Sequence, residues 1–223
     1  MKPLICVAVT GRDTEQIVTR VRGLTSPDLV EIRLDHRMEP IDLRRVRDAT
    51  DTPLIATNRP DYQGGRSKEP EGRRLATLYG ACESGFEYAD VELAAPGSGD
   101  AVKRVHDAGS RCIVSHHDFD ATPTLEELGH MHAEARSMGA DMVKLVGTAK
   151  CYGDNMAYLA YLSENPGNVS FGMGRHGVPS RVMAPLVGGA FTFASTGEGQ
   201  ESALGQLTLS KMREIYEAMG VGQ

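Results

Sequence analysis

Residues 30–35 read VEIRLD, six positions in which apolar and charged side chains alternate without a break. Side chains alternate across an extended strand, so Val30, Ile32 and Leu34 share one face and Glu31, Arg33 and Asp35 the other. Two kinds of sheet accommodate this. An edge strand in an antiparallel sheet would leave its charged face in water. A strand in a closed parallel barrel would turn its apolar face to the surrounding helices and its charges inward, where each needs a partner or a ligand. The rest of the chain decides between the two.

Eight strand-length apolar segments recur along the 223 residues: 4–9, 29–34, 53–57, 88–93, 112–115, 142–146, 169–173 and 190–194. Helical stretches separate most of them. DTEQIVTRVRGL starts with Asp13 as an expected N-cap and closes near Gly23. EPEGRRLATLYGACESG carries Leu75, Leu78, Tyr79 and Cys82 at helical spacing. TPTLEELGHMHAEARSMG is expected to use Thr122 as N-cap, Pro123 in its first turn and Gly139 as its stop. A last helix is expected over 207–219, and 174–189 holds at most a short one. Strands alternating with helices call for parallel pairing with both faces covered. The expected fold is therefore a single-domain (β/α)8 TIM barrel over residues 1–223. An open doubly wound sheet is the alternative, but VTGRD after the first strand has one glycine where a dinucleotide fold needs GxGxxG.

Composition narrows the function classes. The formal net charge is -6 and the arginines are dispersed, which gives no nucleic-acid footprint. Cys6, Cys82, Cys112 and Cys151 form no CxxC pair, so neither a zinc site nor a redox motif is signalled. MKPLICVAV is too short an apolar run for a signal peptide, and no segment approaches the ~20 residues of a membrane span. The expectation is a soluble cytoplasmic protein.

Barrel active sites form at the C-terminal strand ends. Arg59, Glu92, the pair His116–His117 and Lys144 all fall at or near such ends. Glu92 is expected to face inward as an arginine's partner. Along IVSHH, His117 shares a face with Ser115 and Ile113, and His116 with Val114 and Cys112, which makes His117 the inward candidate. Lys144 sits between Val143 and Leu145 in an apolar strand. There a lysine is an internal ion pair, an edge residue or a catalytic amine. Desolvation and nearby cations favour the neutral amine, which attacks ketones and forms Schiff bases. Lys150 lies outside the strand and reads as a solvated surface residue.

The motifs VEIRLD, ATNR, SHHDF followed by VKL, GVPSRV and ESALGQ occur in this order over essentially the whole chain. Together they resemble the type I 3-dehydroquinate dehydratases of the shikimate pathway, most of all the compact archaeal members. The resemblance implies a (β/α)8 barrel with no metal and no cofactor, acting on 3-dehydroquinate as its small-molecule partner. It implies Lys144 as the Schiff-base lysine and His117 as the catalytic histidine. Glu31, Arg33, Arg59, Arg181, Ser202 and Gln206 match substrate-binding positions. A homodimer is expected, since barrels often pair through their outer helices. Three departures stand out: Leu204 where many members have proline, Gln63 where some have a glutamate supporting the histidine, and Ala8 where some have a serine.

Two other enzyme classes share parts of this pattern. A class I aldolase also needs a strand lysine, and GMGRHG or VGGA would then hold a phosphate. A metal-dependent hydrolase would use the histidines, but HExxH spacing is missing. A barrel that binds a small acid without turning it over is the non-catalytic alternative.

Overall fold

The computed structural model describes residues 2–197, 199 and 203–221. The elements run in the order β1 (Ile5–Thr10), α1 (Thr14–Arg22), β2 (Leu29–Arg33), α2 (Leu43–Arg47), β3 (Leu54–Thr57), α3 (Glu71–Glu83), β4 (Tyr88–Glu92), α4 (Ser98–Asp107) and β5 (Arg111–Asp118). There follow α5 (Leu125–Ser137), β6 (Met142–Thr148), α6 (Asn155–Glu164), β7 (Val169–Met173), α7 (Val178–Met183), β8 (Thr192–Ser195), β9 (Leu207–Thr208) and α8 (Leu209–Ala218). The fold is α/β, of the TIM-barrel class. All eight expected strands are present, and β9 is an addition. Among the described residues, no helix is long and apolar enough to cross a membrane.

Two compact units carry these elements. One comprises residues 9–116 and 134–143. In it β2, β3, β4 and β5 pair in parallel, with Glu31 opposite Ile55, Asp90 opposite Ile113 and Glu92 opposite Ser115. Val30, Ile32, Leu54, Ile55 and Val114 are fully buried beside Leu78 of α3 and Val102 of α4. The other unit comprises residues 1–8, 117–133 and 144–223. In it β1 pairs with β8, β8 with β9, and β6 with β7, all in parallel, and Lys144 lies opposite Val169. Its interior is aromatic, with Tyr158, Tyr161, Phe171, Phe191, Phe193 and Tyr216 buried.

The helix termini show which local signals decided. Asp13 caps α1, its carboxylate accepting from Gln16 N at 2.9 Å. Thr122 does not cap α5. The helix starts at Leu125, and Thr124 forms a reciprocal box with Glu127: Glu127 N donates to Thr124 Oγ1 (3.2 Å) and Thr124 N to Glu127 Oε2 (2.8 Å). Thr122 instead donates to Thr148 O (3.1 Å) and accepts from Tyr158 Oη (3.0 Å), so tertiary partners claim its hydroxyl. The C-terminal helix is shorter than 207–219, because Leu207 and Thr208 pair with β8 and Thr208 then caps α8.

Candidate active site

In the unit built on β2 to β5, the charges of VEIRLD are all buried, Glu31 and Arg33 on β2 and Asp35 in the 3-10 turn that ends the strand one residue earlier than expected. Thr57 Oγ1 donates to Glu31 at 2.9 Å. Arg33 grips Asp35 as a fork, through Nε to Oδ1 (2.9 Å) and Nη2 to Oδ2 (2.8 Å). Burial alone would raise the Asp35 carboxyl, but the Arg33 guanidinium outweighs it and holds Asp35 below the usual carboxylate range. Arg59 follows β3 and is buried against three partners from β4 and β5. Its Nη1 donates to Glu92 Oε1 (2.8 Å) and Ser115 Oγ (2.6 Å), and its Nη2 to Asp90 Oδ2 (2.6 Å). Ser115 passes a hydrogen bond on to Asp90 Oδ1 at 2.5 Å. Desolvation opposes the Arg59 charge, yet Asp90 and Glu92 more than offset it and raise its pKa. Glu92 is the arginine partner expected of it, and it holds a second cation, Arg74 Nη2, at 2.6 Å. Burial still pushes the Glu92 carboxyl up against both arginines.

The other unit holds the candidate amine. Lys144 is 5 % exposed on β6, and its Nζ lies 4.4 Å from the centroid of the Phe193 ring on β8. Phe193 packs edge-on against Phe171 of β7, with centroids 6.0 Å apart. The Arg181 guanidinium of α7 lies 4.3 Å from the centre of that Phe171 ring. One aromatic pair therefore carries the amine at one end and a guanidinium at the other. Arg181 is 1 % exposed, its Nε has no hydrogen-bond partner, and no carboxylate among the described residues pairs with it. Its Nη2 makes a long hydrogen bond to Leu204 O, 3.4 Å. Desolvation pushes Arg181 down from 12.5 to about 10, so at neutral pH a charged, buried fork lacks a described counter-ion.

His117 is the second-last residue of β5, which also carries Ser115, whose hydroxyl meets Arg59 and Asp90. Its ring stacks on Phe119, centroids 6.3 Å apart. Cys112 and Val114, earlier on the same strand, are fully buried. The ends of β5 and β6 are tied by Thr148 Oγ1 donating to Asp118 O at 3.1 Å. Gln206 is buried, and its N–H donates to Ala203 O (3.3 Å) in a turn fixed by Gly174 N donating to Leu204 O (3.1 Å). Gly205 is obligatory in that turn: its φ is 77°, and a Cβ would meet Gly174 O at 2.3 Å. Ser202 lies outside the described residues.

The Leu204 side chain is 80 % exposed, and only its carbonyl touches Arg181 and Gly174. Ala8 is buried and pairs with Ser195, which is itself buried. Gln63 ends a single 3-10 turn after β3.

Sequence reading missed Asp90, Arg74, Phe171 and Phe193. Asp90 was legible: YADVEL alternates as VEIRLD does, placing Asp90 on the face of Glu92. Arg74 shares the buried stripe of α3 with Leu78, Ala81 and Cys82, a charge inside an apolar face. The phenylalanines carried no signal, because core and site aromatics look alike in sequence.

A TIM-barrel-class fold with a buried amine and a buried guanidinium is the framework of an enzyme. The model of the family "Type I 3-dehydroquinase" matches residues 5–223. A 3-dehydroquinate dehydratase from Dehalococcoides mccartyi is 33% identical over 219 residues, 97% of this chain and 96% of that protein. The solved 3-dehydroquinate dehydratase from Geobacillus kaustophilus superposes with a TM-score of 0.89 at 26% identity, covering 99% of this chain and 92% of that one. The type I enzyme from Clostridium difficile, solved with covalent modified comenic acid, gives 0.88 at 25% identity, covering 98% and 92%. The chain belongs to the type I 3-dehydroquinase family and is a hydro-lyase.

Proposed function

We propose that the protein dehydrates 3-dehydroquinate to 3-dehydroshikimate in the shikimate pathway, through a Schiff base on Lys144. In its amine form Lys144 attacks the substrate ketone, and His117 moves protons as the carbinolamine forms and loses water. The iminium draws electrons from the neighbouring carbon–hydrogen bond. His117 removes that proton as general base, leaving an enamine. The enamine expels the hydroxyl group, which leaves as water with the proton returned by His117. A second water hydrolyses the iminium, releasing product and free Lys144.

Arg181 takes the substrate carboxylate in a bidentate fork. Glu31, Arg33 and Arg59 hold hydroxyls and fix the ring, and Ser202 and Gln206 close over it. No metal or cofactor enters the scheme. The working form is a single-domain cytoplasmic homodimer.

The observation that carries this reading is an amine and a guanidinium on one aromatic platform. Lys144 and Arg181 flank Phe193 and Phe171, and Arg181 has its charge buried without a described carboxylate. Such a site suits a substrate with a carboxylate and a carbonyl. Covalent modification in the Clostridium difficile relative supports a nucleophile in this fold. The test is borohydride reduction in the presence of 3-dehydroquinate, with the modified peptide mapped by mass. Wild type should carry the reduced adduct on Lys144, and the Lys144→Ala variant should carry none. Labelling that persists in the variant assigns the imine to another residue.

A further inference from the structure

The α3 helix carries a fully buried arginine that the scheme above does not use. Arg74 has no accessible side-chain surface, and every nitrogen of its guanidinium is engaged. Nε and Nη2 form a fork onto Glu71, at 2.8 and 2.6 Å. Nη2 also lies 2.6 Å from Glu92 Oε2. Nη1 donates to Asn58 O at 2.8 Å, and Asn58 Nδ2 returns a bond to Arg74 O at 3.2 Å.

Two of these contacts converge on Arg59. Asn58 is the residue immediately before it, so Arg74 clamps the backbone that leads into Arg59. Glu92 is the carboxylate that receives Arg59 Nη1 on its other oxygen. Arg74 thus fixes where the Arg59 chain starts and where its guanidinium ends. The neighbouring loop reinforces the first of these anchors, with Ser67 N donating to Arg59 O at 3.1 Å.

A purely structural part for Arg74 is physically unattractive. A buried ion pair is commonly no more stabilising than well-packed apolar side chains of the same volume, because both charges must be desolvated. The stripe it shares with Leu78, Ala81 and Cys82 would accept a leucine or methionine. What an apolar residue cannot do is pair its charge with the Glu92 carboxylate while hydrogen-bonding a backbone carbonyl and a helix carboxylate.

We infer that Arg74 is a positioning residue, which acts through Glu92 and the Asn58 carbonyl to aim the Arg59 guanidinium at the substrate. The inference rests on the reading of Arg59 as a substrate-binding arginine. Arg74 touches no substrate. It removes the freedom Arg59 would have to swing its fork or shift its strand end, and so pre-organises a binding group before substrate arrives.

The experiment is a double-mutant cycle on steady-state dehydration of 3-dehydroquinate. It uses Arg74→Lys, Arg59→Lys and the double variant, each checked by thermal unfolding. Lysine keeps a counter-ion for the buried carboxylates and loses the fork. Arg74→Lys should lower kcat/KM about tenfold to a hundredfold, as expected for an ångström-scale misplacement, with the loss mainly in KM. In the Arg59→Lys background it should change kcat/KM by less than about twofold, because the group it aims is already gone. Glu71→Gln, which loosens Arg74 from its partly exposed anchor, should raise KM more weakly and also lose its effect beside Arg59→Lys. This second variant keeps the test decisive if Arg74→Lys folds poorly. Equal losses in both backgrounds, or a folded Arg74→Lys with wild-type KM, overturn the inference. If Arg59→Lys itself leaves kcat/KM unchanged, the reading of Arg59 fails instead, and the two failures are told apart.

Discussion

Replacing Arg181 with methionine should make the protein more stable and nearly inactive. Burial moves this guanidinium from 12.5 to about 10, equivalent to about 3 kcal/mol against its charged form. A charged group at neutral pH therefore destabilises the free protein by roughly that amount. Part of this is recovered from the Phe171 ring 4.3 Å away, worth up to about 2 kcal/mol when desolvated. The 3.4 Å hydrogen bond to Leu204 O is too long to add much. Methionine keeps most of the stem volume, satisfies no polar requirement and needs none. The net gain should be about 1–2 kcal/mol, or roughly 2–8 °C in Tm for a chain of this size. The substrate carboxylate would meanwhile lose its fork. Truncating one side of a buried charge pair costs about 2–5 kcal/mol, which puts the fall in kcat/KM at about 10²-fold or more. The assays are thermal unfolding without ligand and initial rates with 3-dehydroquinate. Arg181→Met that unfolds at a lower temperature than wild type while keeping its kcat/KM would refute the reasoning on both counts.

Three further outcomes follow from the same structure. His117→Ala should lower kcat by about 10²- to 10⁴-fold, the usual worth of a general acid–base, whereas His116→Ala should stay within a few-fold; the reverse ranking sinks the strand-parity argument. Desolvation, with help from Arg33 and against the pull of Asp35, pushes His36 from 6.5 down to about 4. The unfolded chain therefore takes up a proton near pH 6.5 that the folded chain refuses until about pH 4. Stability should fall across that window, by about 1–2 kcal/mol once solvent screening of the partly exposed ring is allowed for. Urea unfolding of His36→Gln at pH 7 and pH 4.5 should show a shallower loss than wild type, and an equal loss would remove His36 as the cause. Gly65→Ala would place a Cβ 2.0 Å from Arg59 O, so the backbone at Arg59 must move. Unfolding should come at least about 1 kcal/mol earlier and KM should rise, and a variant with wild-type values of both would show that the close approach is not needed.

The sequence by itself determined the periodicities. Alternation in VEIRLD, eight apolar runs and the intervening helical spacing fixed an α/β chain with parallel strands, because side-chain direction depends only on local backbone geometry. The same rule made Glu31 and Arg33 neighbours on one face and Glu92 an arginine's partner. Element ends were less legible, as Thr122 and Thr124 show. Both are threonines near a helix start, and the choice went to the one whose hydroxyl had no tertiary claim on it.

Only the tertiary structure decided which charges are satisfied and which wait. In sequence Arg59, Arg74 and Arg181 are three similar arginines. In the fold, Arg59 and Arg74 share Glu92, while Arg181 lies over a phenylalanine with no carboxylate described beside it. Pairing depends on residues 16 to 56 positions apart meeting within hydrogen-bond distance, and no local pattern encodes that meeting. The cost of a buried charge depends on its three-dimensional surroundings, which no stretch of sequence displays.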